Sequence, residues 1–195
     1  NFSVASQETT PRDVAFNAAG TKMFIVGSSG DDVNEYTLST GFNVSTATFV
    51  DAFSVAGQDN APTGLVFNTD GTKMFVLGST TDAVYEYALS TGFDVSTAAY
   101  VDSFSVASQD NTPYGLAFNP DGTKMFVLGN TGADINEYSL EASVSSTGYQ
   151  PVHTTASTDT TYWTDINSMT ADQAAGDGEV YYAISTDDRT TWTVI

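Results

Sequence analysis

Cysteine is absent from this chain, and cations are scarce: three Lys and two Arg stand against 24 acidic residues, for a formal net charge of −19. Without thiols there is no disulfide framework, no thiol nucleophile and no cysteine metal site. A nucleic-acid binder neutralises phosphates with clustered cations, so that class is set aside. Anionic membrane surfaces are disfavoured for the same reason, and no apolar run is long enough to insert in a bilayer. Helical periodicity of useful length is also missing. What remains is a chain of 195 residues, 41% hydrophobic and 12% aromatic, which is enough for one packed domain and too apolar for disorder. It starts at Asn1 with no basic and apolar leader behind it, so the chain is expected to be a processed or excised part of a longer one.

An internal repeat dominates. Pro11, Pro62 and Pro113 are spaced by 51 residues, as are Gly20-Thr-Lys-Met-Phe24, Gly71-Thr-Lys-Met-Phe75 and Gly122-Thr-Lys-Met-Phe126. Phe2-Ser-Val-Ala5, Phe53-Ser-Val-Ala56 and Phe104-Ser-Val-Ala107 keep the same spacing. The first two full units agree at about three-fifths of positions.

Each unit reads as four short strands. In the third unit these start with Gly115–Asn119, a Pro120-Asp121-Gly122 turn, Lys124–Leu128 and Ile135–Leu140. In the second, a Ser/Thr/Gly connection from Ser90 to Thr97 leads to the fourth strand, Tyr100–Ala107. Four antiparallel strands per 51 residues predict an all-β fold, a β-propeller of four-stranded antiparallel blades; a β-solenoid is the competing architecture. A degenerate fourth unit is expected in the C-terminal third, where Thr160–Asn167 aligns with Thr112–Asn119 and is followed by strands at Val180–Ile184 and Thr191–Ile195. That unit lacks one strand, which Phe2–Ala5 duplicates. The expected organisation is therefore one propeller domain over 1–195. Its blades lie at about 9–59, 60–110, 111–159 and 160–195, the last closed by strand 1–8 so that no sheet edge stays open.

A residue identical in every unit cannot mark one unique site. Lys22, Lys73 and Lys124 form one row and Glu35, Glu86 and Glu137 another, which predicts cross-strand ion pairs. Phe16, Phe67 and Phe118 are expected between blades. Repeat-variable positions are the better recognition candidates: Arg12 and Tyr114 after the repeat prolines (Thr63 takes this place in the second unit), and Tyr162 and Trp163 near the same place in the fourth. One propeller rim would hold these four together with Asp31, Asp82 and Asp134. Aromatics beside carboxylates suit sugar rings, which offer an apolar face and hydroxyls. The competing assignment packs the aromatics into the centre of the ring and leaves the Asp residues solvated.

Catalysis finds little support in the residue inventory. One histidine, His153, supplies neither a recognisable triad nor a multi-histidine zinc site, and two arginines cannot form a sialidase-type carboxylate clamp. Carboxylate-based glycoside hydrolysis stays open because Asp is abundant. No cofactor is expected. Among metals, calcium suits the oxygen-rich composition better than any transition metal, although no calcium motif is present.

Two resemblances complete the reading. Ser185-Thr-Asp-Asp-Arg-Thr-Thr-Trp192 resembles the Asp-box hairpin, Ser-x-Asp-x-Gly-x-Thr-Trp, with Arg189 at the glycine position. There Asp187 would bond the turn and Trp192 would pack beneath it. The repeat itself, from Phe-Ser-Val-Ala through Thr-Pro-x-Gly-Leu-Ala-Phe-Asn-x-Asp-Gly-Thr-Lys-Met-Phe-Val, resembles propeller repeats of marine phage structural and tail-fibre proteins and marine bacterial surface proteins. That likeness implies an extracellular or virion-surface location and attachment rather than metabolism. Eighteen Asp against six Glu, with few cations, also suit salty water. The expectation is thus a non-enzymatic structural or binding module of a virion, fibre or cell-surface protein. Its partner would be a glycan or a protein, and it would form a homo-oligomer within a larger assembly. The alternative is a glycan- or lactone-cleaving hydrolase on the same scaffold.

Overall fold

Short runs of β-branched and aromatic residues, each closed by a glycine- or Asp-containing turn, fold as antiparallel hairpins. The computed structural model describes residues 1–140 and two short strands, Ala183–Ile184 and Thr193–Val194. Blade 1 is a four-stranded meander of β1 (Pro11–Phe16), β2 (Lys22–Gly27), β3 (Asp32–Leu38) and β4 (Ala47–Ser54). Blade 2 repeats it as β5 (Pro62–Phe67), β6 (Lys73–Gly78), β7 (Ala83–Leu89) and β8 (Ala98–Ser105). Blade 3 contributes β9 (Pro113–Phe118), β10 (Lys124–Gly129) and β11 (Ile135–Ser139). These are propeller blades, as the 51-residue spacing predicts. The chain divides into two units, Asn1–Ala142 and Ser143–Ile195. In the second, β12 (Ala183–Ile184) and β13 (Thr193–Val194) pair antiparallel. They fall in two of the segments expected to be strands; the Asp-box-like residues between them lie outside the described residues.

The first hairpin of each blade turns at Gly20, Gly71 or Gly122, all left-handed, with φ of 67°, 73° and 71°. Asn17, Asn68 and Asn119 fasten the turn by accepting the backbone N–H of Lys22, Lys73 and Lys124. Two connections differ from the sequence expectation. The segment before each fourth strand contains a 3₁₀ turn, Val44–Thr46 or Val95–Thr97, capped by Asn43 or Asp94. The fourth strands end at Ser54 and Ser105: the Val55 and Val106 N–H groups still reach the Asp31 and Asp82 carbonyls, and the chain then turns back, with the N–H groups of Gln58 and Asp59 both donating to the Val55 carbonyl. Phe2–Ala5, expected as the closing strand, is the repeat counterpart of Phe53–Ala56, which runs from the last two residues of β4 into that turn. Gln7 and Glu8 donate to the Val4 carbonyl, and Phe2 meets the Tyr36 ring edge-on. Its expected pairing with Thr191–Ile195 lies outside the described residues, as does the expected fourth blade.

Blades stack face to face. Phe24, Val26 and Val33 of blade 1 meet Leu65, Met74, Val76 and Tyr87 of blade 2 in one buried cluster. Leu77 and Val84 of blade 2 meet Met125 and Val127 of blade 3 in another. Each such side chain contributes roughly 1.5–3 kcal/mol when fully buried. Phe67 packs on Phe24 at 4.4 Å and Phe118 on Phe75 at 4.6 Å, so both sit between blades as expected. Phe16, on the face of blade 1 away from blade 2, packs on Phe42 instead.

The Lys and Glu rows form the expected pairs at 2.6, 2.7 and 2.5 Å. The first of them also reaches across to blade 2: Lys22 Nζ donates to the Phe93 carbonyl, and Glu35 Oε2 accepts the Val95 N–H. A side-chain pair on one blade thus clasps the backbone of the next blade's 3₁₀ turn. The Glu35 side chain is 2% exposed, whereas that of Glu137 in blade 3 is 49% exposed. Removing a charge from a buried pair strands its partner, while exposed pairs are worth little. Glu35→Gln is therefore expected to cost about 3 kcal/mol in urea unfolding. Glu137→Gln should cost under about 1 kcal/mol. Equal costs would contradict this placement.

Candidate functional site: one rim of the blades

Beneath one rim lies a row of buried carboxylates, Glu8, Asp59 and Asp110. Each ties the segment entering a blade to that blade's second hairpin loop. Glu8 accepts N–H groups from Thr10, Ser29 and Gly30, Asp59 from Ala61, Thr80 and Thr81, and Asp110 from Thr112 and Gly132. Burial pushes the Glu8 carboxyl up, yet the N–H groups of Thr10, Gly30 and Ser29 together hold it below its ordinary value. Asp110 is also held low, chiefly by the Gly132 N–H. Such close approach needs a bare backbone opposite: a Cβ on Gly27, Gly78 or Gly129 would land on Glu8, Asp59 or Asp110. Next to each carboxylate, Gln7, Gln58 or Gln109 accepts the hydroxyl of Tyr36, Tyr87 or Tyr138. The acids recur every 51 residues, a signal that sequence reasoning left unused.

Above this row stand the repeat-variable residues. The β1–β2 register passes from the Pro11–Gly27 pair to the Asp13–Val26 pair, leaving Arg12 as a bulge residue. Thr63 and Tyr114 occupy the same bulge in β5 and β9. Bulges re-aim side chains, and their frequency near active sites makes this position a natural place for variation. Arg12 points its Nε at Ser28 Oγ at 3.4 Å, Thr63 is buried with its hydroxyl directed at the Pro113 carbonyl, and Tyr114 is 53% exposed. Arg12 and Tyr114 therefore share a level on inner strands that are separated by β5. Tyr162 and Trp163 lie outside the described residues, as does His153.

The acidic candidates separate into two groups. Asp31 and Asp82 are left-handed, with φ of 50° and 52°, and the matching residue of blade 3 is Ala133. Asp tolerates this conformation, and the two residues shape the turn, their carbonyls accepting the N–H of Val55 and Val106. Oδ1 of each is buried without a hydrogen-bond partner. Asp134 belongs instead with Asp32: Asn34 donates to Asp32 and Asn136 to Asp134, at 2.5 and 3.0 Å. In blade 2 this Asp–Asn pair is replaced by Ala83 and Tyr85. Asp32 was not among the sequence candidates. Its carboxyl is raised by burial and by the charges of Glu8 and Asp31, against the opposing Asn34 bond. Asp32 pairs with Gly27, which pairs with Pro11, so Asp32 and Arg12 stand at one end of blade 1.

Thr9, Thr10, Ser28 and Ser29 line the same end, and Thr9 and Thr10 both bond Ser29. Among the described residues, no three His, Asp or Glu are grouped to hold a metal ion, calcium included. At the other end of β1 and β5, an open groove of about 330 Å³ runs between Phe16, Leu65, Phe67 and Phe93. Its walls carry no titratable group.

No family model and no curated protein matches the chain. Solved structures share its fold. A candidate 6-phosphogluconolactonase from Bacteroides fragilis is 14% identical, with a TM-score of 0.53 over 66% of this chain and 34% of its own. One from Bacteroides uniformis is 14% identical, at 0.52 over 66% and 36%. A functionally unknown protein from Desulfotomaculum acetoxidans is 20% identical, at 0.51 over 67% and 39%. This chain thus spans little more than a third of the length of each. The expectation of a chain without enzymatic activity is corrected by these likenesses, since two of the three carry lactonase names. The sequence argument had set aside triads, zinc and arginine clamps and had left carboxylate-based hydrolysis open, without singling out Asp32.

The lowered carboxyls set a direction in acid. Stability from Glu8 and Asp110 is complete above their ordinary values of 4.5 and 3.8 and is lost as pH falls through their lower folded values. Thermal melts should therefore fall with pH in the acid range, and Glu8→Gln, already weakened at neutral pH, should flatten that limb. Gly78→Ala should cost about 1–3 kcal/mol by pushing Asp59 off its N–H partners; an unchanged melt would show that the row is not under tension.

Proposed function

We propose that this chain belongs to a hydrolase that opens a neutral sugar lactone at the rim of blade 1. The observation that carries this reading is the placement of Arg12, on its bulge, directly beside the Pro11–Gly27–Asp32 cross-strand row, at the end of blade 1 where the Asp32 carboxyl is shifted upward. Lactone opening needs a base to take a proton from water, a donor for the carbonyl oxygen as it gains charge, and partners for the ring hydroxyls. Asp32 serves as the base, the Arg12 guanidinium as the donor, and Thr9, Thr10, Ser28 and Ser29 hold the hydroxyls. Water adds to the carbonyl carbon as Asp32 takes its proton. The tetrahedral intermediate then breaks its bond to the ring oxygen, and that oxygen receives the proton back from Asp32. The product is the open hydroxy acid, and its new carboxylate is repelled by a chain of net charge −19. The same field disfavours a phosphorylated lactone. The names of the two Bacteroides neighbours support the lactone class.

The test is continuous titration of acid released from glucono-δ-lactone by the purified chain, measured against spontaneous opening. The expected result is a rate above background that falls as pH drops and Asp32 takes up its proton. Asp32→Asn should lose it at least a hundredfold with an unchanged melt, and Arg12→Ala should mainly lower kcat, as loss of a donor to the developing oxyanion does. A background rate with intact protein, or full activity in Asp32→Asn, would overturn the reading.

A further inference from the structure

The two blade interfaces within this chain bury certain positions that the outer blades leave bare. On the blade 1 side, Val26 and Val33 are fully buried, as are their blade 2 counterparts, Leu77 and Val84, against blade 3. In blade 3 the same two positions are Leu128 and Ile135, which are 49% and 69% exposed. Lys124 and Glu137 are paired there as well, with no 3₁₀ turn in their grasp among the described residues.

Blade 1 shows the complementary deficit. Leu65 and Phe93 of blade 2 pack on blade 1, whereas their counterparts, Val14 and Phe42, are 50% and 62% exposed. Phe93 belongs to the turn that the Lys22–Glu35 pair clasps. Blade 1 displays that same turn in the same shape. Thr40–Thr46 and Thr91–Thr97 differ only at Asn43 and Asp94, and Phe42 and Phe93 have φ of 58° and 59°. The Phe42 N–H is fixed to the Gly20 carbonyl just as that of Phe93 is to Gly71. Holding a phenylalanine left-handed is unfavourable, so the turn is preformed rather than moulded by a partner.

We propose that the face of blade 3 carrying Leu128 and Ile135, which no other described residues cover, receives blade 1 of a second copy of this chain. Lys124 and Glu137 clasp the Phe42 carbonyl and the Val44 N–H of that copy, and Leu128 and Ile135 cover its Val14 and Phe42. The contact is heterologous, a blade 3 face on a blade 1 face, so copies join head to tail and either close into a ring or grow as an array. The complementarity is already realised between blades 1 and 2. It is independent of the lactonase reading.

Sedimentation velocity on the full 195-residue chain, over a range of concentrations, tests this. Association should rise with concentration, and Ile135→Asp or Phe42→Asp should each weaken it at least tenfold with circular dichroism unchanged. Mixing those two variants should restore one contact only and yield dimers with no larger species. Val14→Asp substitutes for Phe42→Asp if the latter fails to fold. A wild-type chain that stays monomeric at every concentration overturns the proposal, which is the outcome if another part of the chain covers blade 3. Undiminished self-association of Phe42→Asp also overturns it, because the face of blade 3 would then be pairing with itself.

Discussion

A buried carboxylate cannot be left alone, and Glu35 shows what that demands of the fold. Its charge is matched by Lys22 at 2.6 Å, and its second oxygen takes the Val95 N–H from the neighbouring blade. Desolvating the pair is costly, so the geometry must be complete for it to persist. Completeness here requires the next blade to stand at one distance and one angle, with its 3₁₀ turn already formed. The apolar side chains between blades supply most of the energy, but they would tolerate sliding. The clasp does not.

The same device recurs beneath the rim. Glu8, Asp59 and Asp110 each gather backbone N–H groups from two segments that the sheet ladder does not join. Glycines opposite them make room, and the Gln–Tyr bonds beside them anchor the turning segments. With those roles filled identically in each blade, the bulge residue of the inner strand and the acid at the start of the third strand are free to vary. Arg12, Thr63 and Tyr114 vary at the first, Asp32, Ala83 and Asp134 at the second. Structure is invested in the repeat, and specificity in its exceptions.

Much of this was legible in the sequence. The 51-residue spacing announced the blades, and the rows of Lys and Glu announced cross-strand pairs, because both follow from period alone. Phe67 and Phe118 were readable as inter-blade residues for the same reason. The reach of Lys22 and Glu35 to the next blade was not readable, since it joins residues 71 and 60 positions apart through a turn with no helical pattern. Asp134 was grouped with Asp31 and Asp82 because all three lie in acidic loops; strict use of the 51-residue spacing places it one residue on, with Asp32, as the backbone does. The Asp32 carboxyl could not be singled out among eighteen Asp residues until its burial and its charged neighbours were known. The end of each fourth strand was missed because Val-Ala looks like strand, while the hydrogen bonds of Gln58 and Asp59 make it a turn.

Hydrogen exchange at two equivalent amides tests the clasp most directly. The Val95 N–H is held by Glu35; the Val44 N–H, at the same place in blade 1, has no such carboxylate among the described residues. In dilute native protein the Val95 amide should exchange only by global unfolding, and the Val44 amide should exchange many times faster. Equal protection of the two, or fast exchange at Val95, would contradict the claim that the carboxylate of one blade fixes the position of the next.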